Sequence, residues 1–211
     1  MKQLSLLLVL GFALSFCNLV SKLHGKKSGG SDTDTSSTST EGGGEAAVHG
    51  AATAAETAAL AGGQEIKWAP QGMSWTVPPK WKQTENESKS FTWTSSDGGD
   101  TASLIVSISP MDETFPTDTS IKAYYDQSKS RAKNGEVDEL KWVEIDGLKG
   151  VQFRESNPDK PDGIRRLQWL AYRKFGGQVQ FVNIMLATSG KDFPRRQDAF
   201  YGILYSTKLV H

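Results

Sequence analysis

Histidine and cysteine, the side chains that often supply nucleophiles, general bases and metal ligands, are scarce in this 211-residue chain. The three histidines are His24, His49 and His211, and the one cysteine is Cys17. Two histidines fall in low-complexity sequence and the third is the last residue, so none lies inside a segment that we expect to fold. These positions exclude Ser-His-Asp and Cys-His catalysis, an intrachain disulfide and a Cys/His zinc site. We predict no catalytic residue, no metal and no cofactor.

Carboxylates are the remaining candidates for chemistry. They gather in predicted loops at Asp97 and Asp100, at Asp112 and Glu113, and at Asp159 and Asp162. None of these spacings matches a calcium loop, which needs roughly six to eight oxygen ligands. Asp97 and Asp100 bracket two glycines, so turn formation explains them first. A hydrolase built on two carboxylates stays open as an alternative, provided that burial raises the pKa of at least one of them.

Six tryptophans are many for a chain of this length. Trp75, Trp93 and Trp169 occupy strand positions that we expect to be buried. Trp68 and Trp81 stand at strand ends, where an indole is able to stack on a sugar ring or to anchor an interface. A first alternative function is therefore a glycan-binding module that uses exposed Trp68 or Trp81.

Arg195 and Arg196 lie in the first turn of a predicted C-terminal helix, where the helix dipole disfavours cations. They form either an exposed basic corner or a contact site for an anionic group. The chain as a whole has 24 basic and 24 acidic residues, so no net charge draws it to nucleic acid or to an anionic membrane.

The clearest structural pattern lies in residues 164–204. A long hairpin turns at GGQ and is followed by a helix from about Phe193 to Tyr205, with Asp192 as the expected N-cap. In the second strand, Phe181 and Val182 begin two apolar rows that point to opposite faces. Such a strand belongs in the middle of a sheet that is covered on both sides.

The preceding chain adds further hairpins and one helix. We predict strands at EIKWA and GMSWTV, a hairpin of KSFTWTS with TASLIVSIS around the DGGD turn, a helix from about Thr119 to Asn134, and a hairpin centred on Asp146-Gly147. Thr119 or Asp118 is the expected N-cap of that helix. Its tyrosines, Tyr124 and Tyr125, are expected to cover the core.

Residues 1–17, MKQLSLLLVLGFALSFC, carry a lysine near the start, an apolar run too short for a comfortable membrane span, and a terminal cysteine. This segment resembles a bacterial lipoprotein signal, which implies cleavage before Cys17 and attachment of diacylglycerol and palmitate there. Leu14 and Ser15 fit the motif, whereas Phe16 stands where small residues are usual. Ordinary signal cleavage near residues 15–18 and an uncleaved anchor remain alternatives. By the same resemblance, Asn18 implies the outer membrane in a cell that has one.

Residues 18–63 are predicted to form a tether. Residues 18–44 are rich in Gly, Ser and Thr and have almost nothing apolar to bury, so we expect disorder. Residues 45–61 are rich in alanine and predict a weak, solvent-exposed spacer helix that stops at Gly62 and Gly63. The folded domain is expected to span residues 64–211.

The order of elements in residues 64–211 resembles the PsbP fold, which is shared by extrinsic photosystem proteins, a eukaryotic Ran-binding protein and the DcrB-like bacterial lipoproteins. The residues that carry the resemblance are Val77, Pro78 and Trp81, Asp146 and Gly147, and Phe200, Ile203, Leu204 and Ser206. The resemblance implies an α+β domain with an antiparallel β-sheet flanked by helices. Histidines associated with metal in photosystem members have no counterpart in this domain.

These observations predict an exported bacterial protein that is tethered to the membrane by lipid in the cell envelope. Its domain is expected to bind another envelope component, either a protein or a glycan, without catalysis. Nucleic acid is not an expected partner.

Overall fold

The structure is a computed structural model of the chain, and it describes residues 46–97 and 100–210. Within these ranges the chain forms eleven strands, three α-helices and a short 3-10 helix, Ala69–Gln71. The strands are β1 (Val48–His49), β2 (Gln64–Trp68), β3 (Met73–Val77), β4 (Lys82–Asn86), β5 (Ser90–Asp97), β6 (Asp100–Met111), β7 (Val137–Ile145), β8 (Leu148–Glu155), β9 (Ile164–Phe175), β10 (Gln178–Ser189) and β11 (Lys208–Leu209). The helices are α1 (Ala54–Ala58), α2 (Thr117–Lys133) and α3 (Phe193–Tyr205). Cys17 and the predicted signal segment lie outside the described residues.

Eight strands form one sheet in the order β1-β7-β8-β9-β10-β6-β5-β4. Neighbouring strands are antiparallel except for β1 and β7, which are parallel. Strand β10 lies inside the sheet, and Val182 pairs with Ala171 on one side and Ile108 on the other. Val182 is fully buried on one face, while Phe181 stacks on Tyr124 across the other, with 5.1 Å between ring centroids. The prediction of a central strand covered on both faces is confirmed.

The two faces of this sheet have different covers. Helix α2 packs over β7, β8 and β9 on a small apolar cluster that includes Val151 and Phe153. Helix α3 and a three-stranded sheet, β11-β3-β2, cover the other face and enclose the main core around Trp75 and Trp169. The predicted fold class, α+β with an antiparallel sheet flanked by helices, is confirmed.

The predicted turn between β7 and β8 is present, and it also fixes the end of the chain. Asp146 and Gly147 have φ angles of 48° and 81°, as a two-residue hairpin turn with positive φ requires. The Asp146 carboxylate accepts a hydrogen bond of 2.7 Å from the backbone N–H of Leu209. The turn therefore holds β11 in place.

Strand β4 has no signal in the sequence. All five of its residues are exposed and none is apolar, so the alternation that usually reveals a strand is missing. It lies at the edge of the large sheet, where polar and charged side chains are common because they discourage pairing with other chains.

Helix boundaries are partly as predicted. Helix α3 spans Phe193–Tyr205, in agreement with the prediction, but Asp192 makes no side-chain capping bond and instead accepts hydrogen bonds from Ser189 and Arg195. Helix α2 begins at Thr117, and its N-cap is Pro116 rather than Asp118 or Thr119. Pro116 has φ of −76° and ψ of 76°, so the chain is extended up to the first helical residue, and no side chain caps the helix.

The spacer interpretation of the alanine-rich segment is wrong for the part that the structure describes. Strand β1 pairs with β7, and α1 packs against α3. Gly202 of α3 permits this close approach, because a Cβ atom there would lie 2.5 Å from the carbonyl oxygen of Glu56. Leu60 contacts the main core. Residues from 46 onward therefore belong to the folded unit, which does not start at residue 64, and His49, expected outside the fold, lies within it in β1.

Within the described ranges, the helices are too short or too polar to cross a membrane.

Candidate functional site

A pocket of about 320 Å³ lies where α3 and strands β7 and β8 face the N-terminal β1–α1 segment. We call it the α3 pocket. Its lining residues are Val48, His49, Ala51, Thr53, Glu56, Glu139, Lys141, Arg154, Gln197, Tyr201 and Tyr205. Those from residues 48–53 are exposed and form a rim, whereas those from β7, β8 and α3 are partly or fully buried.

A β-bulge in β7 brings two adjacent carboxylates to one guanidinium. The register of β7 against β8 shifts between Val137 and Glu139, so Asp138 is the extra residue. In a regular strand Asp138 and Glu139 would point to opposite faces. Here Nε of Arg154 lies 2.7 Å from Asp138 Oδ1, and Nη1 of Arg154 lies 3.3 Å from Glu139 Oε2. Bulges often re-aim side chains beside functional sites, and the sequence gives no signal for this one.

Helix α3 supplies one stripe of polar side chains to the pocket. Gln197, Tyr201 and Tyr205 are spaced by four residues and therefore lie on one side of the helix. Tyr201 is buried, and its hydroxyl is engaged in a polar network. The regular four-residue spacing of hydrogen-bonding side chains was the signal in the sequence that could have revealed this stripe.

Glu139 is the centre of that network. Its Oε1 accepts a hydrogen bond of 2.8 Å from Gln152 and lies 3.1 Å from the ammonium of Lys141. Its Oε2 accepts a hydrogen bond of 2.6 Å from the hydroxyl of Tyr201 and lies 3.3 Å from Arg154. Four donors thus surround one carboxylate, and its negative charge is fully compensated.

Lys141 is held by aromatic rings as well as by charge. Its ammonium lies 5.8 Å from the ring centroid of Tyr201 and 5.9 Å from that of Tyr205. Cation–π attraction and the ion pair with Glu139 act on the same group. The hydroxyl of Tyr205 donates a 3.0 Å hydrogen bond to Gln152, which closes the network.

Five residues of the pocket have shifted pKa values, and each of these shifts is away from neutrality. Burial disfavours the charged forms of Glu139, Lys141 and Arg154, but hydrogen bonds and opposite charges outweigh it, so the pKa of Glu139 is lowered and those of Lys141 and Arg154 are raised. Burial also raises the pKa of Tyr201 and Tyr205, which keeps both phenols neutral. A general acid or base works best with a pKa near the working pH. These groups are arranged to hold their charge state rather than to exchange protons.

This result argues against the carboxylate-based hydrolase. That alternative requires two carboxylates in a cleft and a pKa raised by burial. Glu56 and Glu139 both line the α3 pocket, but the pKa of Glu139 shifts in the opposite direction. Within residues 46–97 and 100–210, no three His, Cys, Asp or Glu side chains gather as a metal site would need.

The prediction of exposed Trp68 and Trp81 is wrong. Trp68 is 0% exposed, stacks on Phe91 at 5.5 Å and donates a hydrogen bond from its indole to the carbonyl of Glu87. Trp81 is 3% exposed and belongs to the main core. Trp68 ends β2 and Trp81 directly precedes β4, and both side chains lie in the main core, which contains residues of both sheets. A glycan site built on these two indoles is therefore ruled out.

Arg195 and Arg196 do not reach the α3 pocket lining. Arg195 is exposed and forms an ion pair of 2.8 Å with Asp192 one turn away, while Arg196 is half-buried. The pair with Asp192 offsets the unfavourable helix dipole. The geometry fits the basic corner better than an anion site.

Comparison of the sequence with protein-family models and with curated proteins found no match. Among solved structures, LpqN of Mycobacterium tuberculosis, which is involved in cell envelope biogenesis, is 12% identical, with 71% of this chain and 91% of LpqN covered and a TM-score of 0.50. The fold is similar to that of LpqN. A protein from Bacteroides thetaiotaomicron VPI-5482 is 11% identical over 71% of this chain, with a TM-score of 0.48, and this chain covers about half of it, 49%. The Ran-binding protein Mog1p of Saccharomyces cerevisiae is 12% identical over 70% of this chain and 95% of its own, with a TM-score of 0.40.

Proposed function

We propose that this chain is an exported bacterial envelope protein, anchored by lipid on Cys17, whose domain binds an envelope component in the α3 pocket without catalysing a reaction. The observation that carries the binding assignment is the geometry of the pocket, in which four donors fix the Glu139 carboxylate beside a cavity of about 320 Å³, and the pKa shifts agree with it. Every shifted group among the pocket residues keeps its usual charge state more firmly than it would in water. Fixed donors and acceptors suit recognition, whereas proton transfer needs groups that titrate near neutrality.

The anchor rests on the sequence. The apolar run that ends at Cys17 resembles a lipoprotein signal, and the polar segment after it is long enough to act as a tether. The fold similarity to LpqN, a protein of cell envelope biogenesis, supports the envelope setting by analogy. By resemblance, Asn18 favours the outer membrane where the cell has one.

Mass spectrometry of the membrane fraction tests the anchor. We expect the mature chain to begin at Cys17 with a diacylglyceryl adduct, and Cys17→Ser to move the protein to the soluble fraction. A mature chain that begins at any other residue would contradict the anchor.

Photo-crosslinking in intact cells tests binding at the pocket. A photoreactive residue at position 197, in the pocket lining, is expected to capture one discrete envelope component. The same residue at position 83, exposed on β4 at the far edge of the sheet, serves as the control. Capture at 83 and none at 197 would contradict binding through the α3 pocket.

A further inference from the structure

The charges of the α3 pocket are already paired with one another. Glu139 has four donors around its two oxygens, and Lys141 and Arg154 both lie against it. An incoming cation would have to displace Lys141 or Arg154 from Glu139. An incoming anion would have to approach Glu56 and Glu139, which also line the pocket. Breaking a half-buried ion pair is costly, so an uncharged ligand is favoured.

The place where the pocket would receive a cationic ligand is filled by the chain itself. The ammonium of Lys141 lies against both Tyr201 and Tyr205, at 5.8 and 5.9 Å from their ring centroids. Two aromatic rings and a carboxylate are the usual surroundings of a bound ammonium group. A ligand with an ammonium or quaternary amine would therefore have to displace the Lys141 ammonium, which is part of the chain itself.

The remaining groups suit a ligand with many hydroxyls. Each of these groups has a partner in the chain and further hydrogen-bonding capacity: Gln197 accepts from Arg154 and has two amide N–H donors, and Lys141 has donors besides the one on Glu139. The hydroxyl of Tyr205 donates to Gln152 and can still accept, and the hydroxyl of Thr53 accepts from the Glu56 N–H and can still donate. A polyol matches such a mixture, because each hydroxyl both donates and accepts. The ring of Tyr205, which is half-buried, adds apolar surface of the kind that packs against a sugar ring.

Size and access agree with this ligand class. A volume of about 320 Å³ is near the lower end for ligand pockets, which suits one small cyclic unit rather than a folded partner. The rim residue Val48 is 53% exposed, and Ala51 and Thr53 are exposed as well. A unit in the pocket is thus able to continue into a longer chain outside it.

We propose that the α3 pocket binds one uncharged saccharide unit of an envelope glycan. This proposal rests on the proposed binding function of the same pocket and names its ligand class. It replaces Trp68 and Trp81, which are buried, by Lys141, Gln197 and Tyr205 as the groups around the sugar.

Chemical-shift titration by NMR tests the proposal on the full chain carrying Cys17→Ser. The probes are maltotriose and N-acetylchitotriose as uncharged saccharides, trigalacturonic acid as an anionic one, chitosan trimer as a cationic one, and trialanine as a peptide. We expect at least one uncharged saccharide to shift the amides of residues 139–141 and 197–205, with a Kd on the order of 1 mM. The charged saccharides are expected to bind at least tenfold more weakly.

Two pocket variants and one control complete the test. Gln197→Leu and Lys141→Met are each expected to weaken binding about tenfold. Gln83→Leu makes the same change on exposed β4 and is expected to leave binding unaltered. An unchanged affinity in both pocket variants would overturn the proposal.

The failures are distinguishable from one another. Tighter binding of the anionic saccharide, the cationic saccharide or trialanine would overturn the saccharide proposal while leaving the α3 pocket a binding site. Crosslinking at position 197, combined with no chemical-shift change on addition of either uncharged saccharide, would also overturn the saccharide proposal and leave the α3 pocket a binding site. If the photoreactive residue at position 197 captures nothing, the proposed function itself, binding through the α3 pocket, is contradicted.

Discussion

The two helices that cover the large sheet both present tyrosines to it, but to different neighbours. On α2, Tyr124 stacks on Phe181 and Tyr125 stacks on Trp142, with ring centroids 5.1 and 4.9 Å apart. On α3, Tyr201 instead binds Glu139 and Arg154 through its hydroxyl. The same residue type therefore serves as packing on one face and as part of a charged pocket on the other.

The difference between the two faces comes from the side chains that strands β7 and β8 direct to each helix. Toward α2, strands β7 and β8 present apolar side chains such as Val151 and Phe153. Toward α3, the same strands present Glu139, Lys141 and Gln152. We expect the α2 face to respond to changes of volume, and the α3 pocket to respond to changes of charge and hydrogen bonding.

Phe153→Ala should produce the largest effect, because it removes a large buried side chain from the α2 face. We expect the free energy of unfolding to fall by about 3–5 kcal/mol, from lost burial and the cavity left behind. Urea denaturation of the wild type and the variant measures it. A loss below about 1 kcal/mol would show that the apolar cluster does not hold α2 in place.

Glu139→Gln comes next, because it leaves Lys141 and Arg154 without their shared carboxylate. The side chain of Glu139 is 24% exposed, so we expect a loss of about 2–3 kcal/mol at pH 7, less than for a fully buried pair. The matched control is Asp126→Asn on α2, whose pair with Lys122 is exposed and should contribute no more than about 0.5 kcal/mol. Equal losses in the two variants would remove the distinction between the two faces.

The contribution of Glu139 should also depend on pH in a defined direction. Its folded pKa lies below the unfolded value of 4.5, so the stabilisation is complete above pH 4.5 and disappears as the pH falls through the folded pKa. The stability difference between wild type and Glu139→Gln is therefore expected to shrink below pH 4.5. Urea denaturation over a pH series measures this, and a difference that grows on acidification would contradict the assignment.

Tyr201→Phe should have the smallest effect of the series. It removes one hydroxyl that donates to Glu139 at 2.6 Å and accepts from Arg154 at 3.2 Å, while the ring still packs. We expect a loss of about 1–2 kcal/mol, because a partly buried carboxylate loses its shortest hydrogen bond. Urea denaturation is again the measurement, and an unchanged stability would mean that this hydroxyl contributes nothing to the network.

Local patterns revealed most of the fold. The two apolar rows that begin at Phe181 and Val182 identify the central strand, and Asp146-Gly147 identifies a hairpin because few other residue pairs tolerate positive φ. The alanine-rich segment misleads because methyl groups bury little, yet they suffice where Gly202 lets α1 approach α3. Its contact depends on a residue about 150 positions away, which no local pattern reports.

The pocket was harder to predict than the fold. Glu139 and Lys141 look like ordinary exposed charges of a half-buried strand, and the bulge at Asp138 that directs two carboxylates to Arg154 is a register shift with no sequence signal. Trp68 and Trp81 are residue types that often bind sugars or anchor interfaces, but both lie buried in the main core. Sites of this kind arise from long-range pairing, whereas strand and turn signals are local.

A direct measurement of the Glu139 pKa in the full chain carrying Cys17→Ser tests the central claim that the α3 pocket is a fixed-charge binding site. Carbon-13 NMR titration of glutamate carboxyl groups provides it, with the Glu139 signal assigned by its disappearance in Glu139→Gln. The account predicts a pKa below 4.5, so that the carboxylate stays ionised at neutral pH. A pKa of about 6 or higher would make Glu139 a candidate general acid and would contradict a site that binds without chemistry.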